Sequence, residues 1–184
     1  MKTLEKTKSE KKAKVVKVKA KKDAAKDLKE LFEDGLKDVY WAEKALLKVM
    51  PKLEKNATSA KLSKAIKEHA SQTETQIGRL EVCFEELGKK PKGKKCDAMK
   101  GLIDEAKGIL EDTEPGSVRD AGIIAAIQKA EHYEIATYGT LAAFAKVLKL
   151  NQSLKALLKS LDEEKNCDNL LTELADTNLN SKAK

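Results

Sequence analysis

The sequence predicts an all-α protein: one antiparallel four-helix bundle whose second and third long helices are joined by a crossover carrying a short extra helix. Three observations lead there. Alanine, leucine, lysine and glutamate dominate, aromatic residues make up 4% of the chain and proline occurs three times, a composition that favours helix and leaves few candidates for strands. A length of 184 residues suits one domain with a sizeable core. Finally, long segments in which apolar residues step by four and three are separated by short turn signals, the spacing that keeps one stripe of a helix against its neighbours in a bundle.

The chain opens on a different composition. Residues 1–22 hold ten lysines against Glu5 and Glu10, a charge of +8, while the whole chain carries +7, so the remaining 162 residues sum to −1. The stretch "KTKSEKKAKVVKVKAKK" has almost no large apolar side chains with which to offset the entropy of ordering, so residues 1–23 are expected to form a disordered Lys-rich arm. Two readings of it stay open: a solubilising tail, or a lysine brush that binds nucleic-acid phosphates without reading sequence.

Residues 24–180 supply the bundle, and 181–184 a short tail. The first helix, α1, is expected from about Ala24 to Lys55, with Asp27 as a cap and a kink at Pro51. After the "NATS" turn, α2 starts at a Thr58 or Ser59 cap and stops at Gly88. "GKKPKGKK" reads as a loop, Asp97 to Glu111 as the short helix α3, and "DTEPGS" as a second break. Helix α4 follows from about Val118 to Lys149, and α5 from about Gln152 to Asp176 after a turn at Asn151.

Each long helix has an apolar seam, and each seam is interrupted near mid-length. In α1 (Phe32, Leu36, Val39, Glu43, Leu46, Met50, Leu53) one acid breaks it. In α2 (Leu62, Ile66, His69, Thr73, Gln76, Leu80, Cys83, Leu87) polar groups fill about two turns, with Gln72 beside Thr73. In α4 the interruption is Glu131 with Glu134, between Ile127 and Tyr138, and in α5 it is Glu164 with Asp168, between Leu161 and Leu171. A single seam acid can tilt to the rim of a bundle and stay wet. Antiparallel packing, however, brings all four interruptions to one level, where five carboxylates meet with no seam lysine or arginine to neutralise them. Desolvating an unpaired carboxylate costs at least several kcal/mol. Such a layer needs protons or cations, and Glu, Asp and His are ligands suited to iron and manganese. Two divalent ions would set four positive charges against the five carboxylates.

The segments "DVYWAEKAL", "HASQTETQIGRLE", "CDAMKGLIDEA", "QKAEHYEIATYGTLA" and "LDEEKNCDNLLTELA" resemble, in order and spacing over roughly residues 27–180, the ferritin-like family of bacterial stress proteins typified by YciE and YciF, and "EHYEIATYGTL" is the most specific of them. The resemblance implies a ferritin-like four-helix bundle, a homodimer, and a dinuclear metal centre of no settled reaction. Its ligands would fall on Glu43, on the α2 positions His69, Gln72 and Gln76, on Glu131 with Glu134, and on Glu164 with Asp168. One departure stands out: Gln72 occupies a position where the family is expected to place Glu, and an amide oxygen carries no charge and bridges two ions poorly. His69 reads equally as a ligand or as a hydrogen-bonded core histidine. His132 lies off the α4 seam and reads as an interface residue or as one that supports a ligand from behind.

The remaining features restrict function more loosely. Tyr40, Tyr133 and Tyr138 are best read as packing residues with satisfied hydroxyls, although each lies near an acid, and Trp41 points away from the seam. Cys83, Cys96 and Cys167 form no C-x-x-C pair and fit a reducing compartment as small buried thiols or bystanders. No run of 18 apolar residues exists, no secretory signal opens the chain, and a cytoplasmic address is expected with no membrane partner. Two functions follow: a two-ion iron or manganese protein that reacts with dioxygen or peroxide in stress defence, as an oxidase or scavenger; or a non-catalytic helical dimer whose residues 1–22 bind nucleic acid above a structural or vacant metal layer. The sequence names no catalytic residue and no substrate.

Overall fold

A computed structural model of the chain describes residues 18–184. Most of the expected arm, residues 1–17, lies outside the described residues; residues 18–23 are exposed. The helices are α1 (Leu28–Asn56), α2 (Ala60–Glu86), α3 (Asp97–Asp112), α4 (Ser117–Val147) and α5 (Asn151–Leu174). No strand occurs among the described residues.

Local chemistry fixes most ends. The Asp27 carboxylate accepts from the Glu30 N–H at 2.8 Å, so α1 starts at Leu28 and not at Ala24. The helix runs unbroken through Pro51, whose ring is exposed. Ser59 caps α2, and Gly88, at φ +69°, takes the left-handed turn that ends it. Two helix starts are capped by carboxylates of other helices. Asp120 on α4 accepts from the N–H groups of Thr58 and Ser59 at 2.7 and 2.9 Å, and Glu86 on α2 accepts from those of Ser153 and Gln152 at 2.7 and 3.2 Å. At the C-terminus the chain stays helical beyond Asp176: a π-helical turn (Ala175–Leu179) leads into one last turn, α6 (Asn180–Lys182).

The four long helices form a ring in the order α1, α2, α5, α4. Cross-helix bonds give the directions. Gln76, Arg79 and Glu86 of α2 meet Glu164, Glu163 and Ser153 of α5, a descending series that makes the pair antiparallel. Likewise Asn56 and Glu43 of α1 meet Arg119 and Tyr138 of α4. All ring neighbours are therefore antiparallel, and the parallel diagonal pair α2 and α4 requires the long crossover that α3 occupies. Its close seating shows at Gly122, where an added Cβ would stand 2.6 Å from Ile109 Cγ2.

The apolar interior falls into two clusters. One gathers Leu46, Leu53, Leu62, Ile66, Met99 and Ile123 among others; the second gathers Phe32, Leu36, Leu80, Phe84, Tyr138 and Leu157. Between them lies a buried polar layer.

Candidate metal centre

The layer is assembled by the seam interruptions of the four long helices. Glu43 (α1), His69, Thr73 and Gln76 (α2), Glu131 and Glu134 (α4) and Glu164 (α5) are all buried, six of the seven at zero exposure and His69 at 3%. One ligand atom each from His69, Glu131, Glu134 and Glu164 lies within 4.8 Å of every other, and a second group of the same span joins His69 and Glu131 to Cys167.

Few of these atoms are satisfied. Tyr138 donates its hydroxyl to Glu43 Oε1, Gln76 Nε2 donates to Glu164 Oε1, and the Cys167 thiol lies 3.4 Å from Glu131 Oε1. His69 Nε2 stands 2.9 Å from Glu131 Oε1 but out of line for a hydrogen bond, which leaves both ring nitrogens without one. Among the described residues nine buried side-chain nitrogen and oxygen atoms have no hydrogen-bond partner while the acids are ionised, and all nine belong to this layer: Glu43 Oε2, both nitrogens of His69, Thr73 Oγ1, Gln76 Oε1, Glu131 Oε2, both oxygens of Glu134, and Glu164 Oε2; protonated, Glu43 with Glu134 and Glu131 with Glu164 are placed to share a hydrogen bond. Elsewhere native proteins pair the large majority of such groups.

The electrostatics follow from the same packing. Burial, the largest effect, pushes Glu43 up to about 8, Glu131 up to about 7 and Glu164 up to about 9, and lifts Glu134 well above the usual carboxylate range. Repulsion among the carboxylates adds to it: Glu164 raises Glu43, Glu43 raises Glu131 and Glu134, and Glu131 raises Glu164. Among the described residues none of the four is ion-paired to a lysine or arginine. Left to itself, the layer holds its charge down by keeping protons.

A family model described as a domain of unknown function, DUF892, matches residues 27–184. The chain belongs to the DUF892 family. Protein YciF of Escherichia coli (strain K12) is 46% identical over 159 residues, 86% of this chain and 96% of that protein. The crystal structure of the E. coli stress protein YciF superimposes with a TM-score of 0.82 at 45% identity, covering 86% of this chain and 100% of that one. The YcfI protein of Rhodopseudomonas palustris does so with a TM-score of 0.77 at 40% identity, over 80% of this chain and 94% of that one. In this DUF892 chain the helical bundle and its likeness to YciF agree with the sequence reading, and no described helix is long and apolar enough to cross a membrane.

Of the eight ligand candidates, the structure brings six together: Glu43, His69, Gln76, Glu131, Glu134 and Glu164. Gln72 is exposed. Successive helical residues are turned by about 100°, and with Thr73 facing inward its predecessor points out. The departure at Gln72 therefore falls outside the layer. Asp168 stands at the rim, one-fifth exposed, where Gln128 Nε2 donates to it at 3.0 Å and His132 Nε2 lies 3.5 Å away. Its neighbour Cys167 takes the inward place instead, and with Tyr138 it is a contact that residue type alone did not reveal. Tyr133 and Tyr40 bond acids outside the layer, Asp38 and Glu81.

Proposed function

We propose that this chain is a dinuclear carboxylate protein of iron or manganese that reacts with dioxygen or peroxide in stress defence. The observation that supports it is the set of nine buried atoms, unpartnered while the acids are ionised, that converge from four helices. Carboxylate oxygens, an imidazole and an amide oxygen are a donor set suited to these ions, and positive charge between them removes both the desolvation cost and the mutual repulsion. Glu131, Glu134 and Glu164 with His69 would form the heart of the site, with Glu43 beside Glu134 and Gln76 beside Glu164 as further ligands. When bound, such a pair supplies redox chemistry with oxygen species.

The chain's own residues do the rest. Tyr138 fixes the orientation of Glu43 by donating its hydroxyl to Oε1. Gln76 holds Glu164 from the other side, and the Arg79–Glu163 ion pair, with Nη2 to Oε1 at 2.7 Å, closes the rim next to Gln76. The apolar clusters above and below exclude water. Metal content settles the matter: protein purified without chelator, or reconstituted anaerobically, should hold about two iron or manganese ions per chain and change its absorbance on exposure to oxygen. A chain that binds neither ion after reconstitution refutes the proposal.

A second reading rests on the ten lysines of residues 1–22: a dimer whose arms hold nucleic acid by phosphate contacts. Duplex-DNA binding that falls steeply with salt and disappears on deleting residues 1–22 supports it; binding unaffected by the deletion refutes it.

A further inference from the structure

Cys167 is the residue of the layer for which a centre of oxygen and imidazole donors has no use. It is buried on α5, one turn beyond Glu164, with its sulfur 3.4 Å from Glu131 Oε1, and Glu131 Oε1 lies in turn 2.9 Å from His69 Nε2. Three donor atoms of three kinds, from three helices, thus meet within 4.8 Å of one another. The spacings admit an ion, the sulfur–oxygen distance being also that of the S–H···O hydrogen bond. Zinc binds sulfur at about 2.3 Å and nitrogen or oxygen at about 2.0–2.1 Å, so tetrahedral ligands around it stand about 3.5 Å apart for a sulfur–oxygen edge and about 3.3 Å for a nitrogen–oxygen edge. The sulfur–oxygen edge is already at that length and the nitrogen–oxygen edge within half an ångström. The remaining donors, Glu43, Glu134, Glu164 and the Gln76 amide, offer oxygen only.

We propose that the His69–Glu131–Cys167 corner is a mixed nitrogen, oxygen and sulfur site that prefers a thiophilic divalent ion of the zinc class, so that the two ends of the layer differ in metal preference. The inference rests on the reading of the layer as a metal centre. A second feature supports it independently of the cysteine: His69 is 3% exposed, its ring nitrogens have no hydrogen-bond partner, and Nε2 is turned to Glu131. Binding replaces the S–H bond of Cys167 by a sulfur–metal bond and releases the proton to solvent; no electron is transferred. The distinction between hard and thiophilic ions then follows from ligand type alone.

Cobalt(II) is the probe, because thiolate ligation gives a charge-transfer band in the near ultraviolet that oxygen and nitrogen ligation does not. The full chain and its C167S, C83S and C96S variants are titrated with cobalt(II), zinc(II) and manganese(II) under anaerobic conditions. The band should appear in the parent chain, C83S and C96S and be absent from C167S. Zinc affinity should fall at least about tenfold in C167S while manganese affinity stays within about threefold. Cobalt binding without the band in the parent chain, or a band that persists in C167S, overturns the inference. Manganese binding that depends on Glu134 but leaves cobalt without a thiolate band defeats this inference and spares the metal-centre proposal. Failure of all three ions to bind defeats both.

Discussion

Removal of metal should turn the buried layer into a pH-dependent weakness, and the direction is fixed by the raised acids. In the unfolded chain the four glutamates titrate near 4.5; in the fold they hold their protons to about 7 for Glu131, about 8 for Glu43 and about 9 for Glu164, and Glu134 is held well above the usual carboxylate range. Between these limits the folded state binds more protons than the unfolded state, so stability falls as pH rises: the layer's contribution is fully present below about 4.5 and is lost as the pH passes through the folded values. Each retained proton changes stability by about 1.4 kcal/mol per pH unit. If only two of the four are retained between pH 5.5 and 7, the chelated protein loses about 4 kcal/mol over that interval, against a total of about 5–15 kcal/mol for a typical domain. Urea unfolding of chelator-treated protein at pH 5.5, 6.2 and 7.0, followed by helical circular dichroism, measures this. Glu134→Gln, a neutral isostere, should lower the slope by about 1.4 kcal/mol per pH unit, which separates the layer from titration elsewhere. Manganese or iron should restore stability at pH 7, because ions displace those protons and bind better as pH rises. A chelated protein whose stability is flat or increases from pH 5.5 to 7, with Glu134→Gln indistinguishable from it, would refute the reasoning.

Other expectations are narrower. Glu86→Ala removes a carboxylate that caps α5 and should cost about 1–2 kcal/mol in urea unfolding. Partial burial opposes ionisation of Glu86, but the hydrogen bonds from Ser153 and Gln152 prevail and hold it below its ordinary value. The cost should therefore be full above about pH 5 and fade as the pH falls through the native value, opposite in sense to the core layer. Tyr138→Phe withdraws the donor on Glu43 and should destabilise by about 1–3 kcal/mol, measured by thermal unfolding of the chelated protein. Gln72→Glu, on an exposed position, should leave manganese affinity within about twofold, as read by isothermal titration.

Much of the architecture was legible because apolar spacing is a direct consequence of packing. The seams of α1, α2 and α4 place inward the residues that the structure buries, and the mid-length acids fall at one level because ring neighbours run antiparallel. Two positions resisted. On α2, Gln72 sits about 60° from His69, close enough to share its stripe on paper, and Thr73 facing inward turned it to solvent. On α5 a step of four or of three from Glu164 selects Asp168 or Cys167, and periodicity cannot choose. The choice was made by partners: Gln128 and His132 at the rim favour the acid there, leaving the thiol to face Glu131. The caps supplied by Asp120 and Glu86 were equally invisible, since each lies more than 60 residues from the helix start it satisfies. The end of α5 was misplaced because helix continued through Ala175 in a wider turn, without a proline or glycine to stop it.

A bound ion pair places positive charge among Glu43, His69, Glu131, Glu134 and Glu164. Anomalous diffraction from crystals grown with manganese(II) looks at that place directly. Two peaks within the layer, in bonding contact with Glu131, Glu134 and Glu164, are predicted. Ordered manganese only at exposed carboxylates, with these side chains hydrogen-bonded to one another or to water around an ion-free centre, would contradict it.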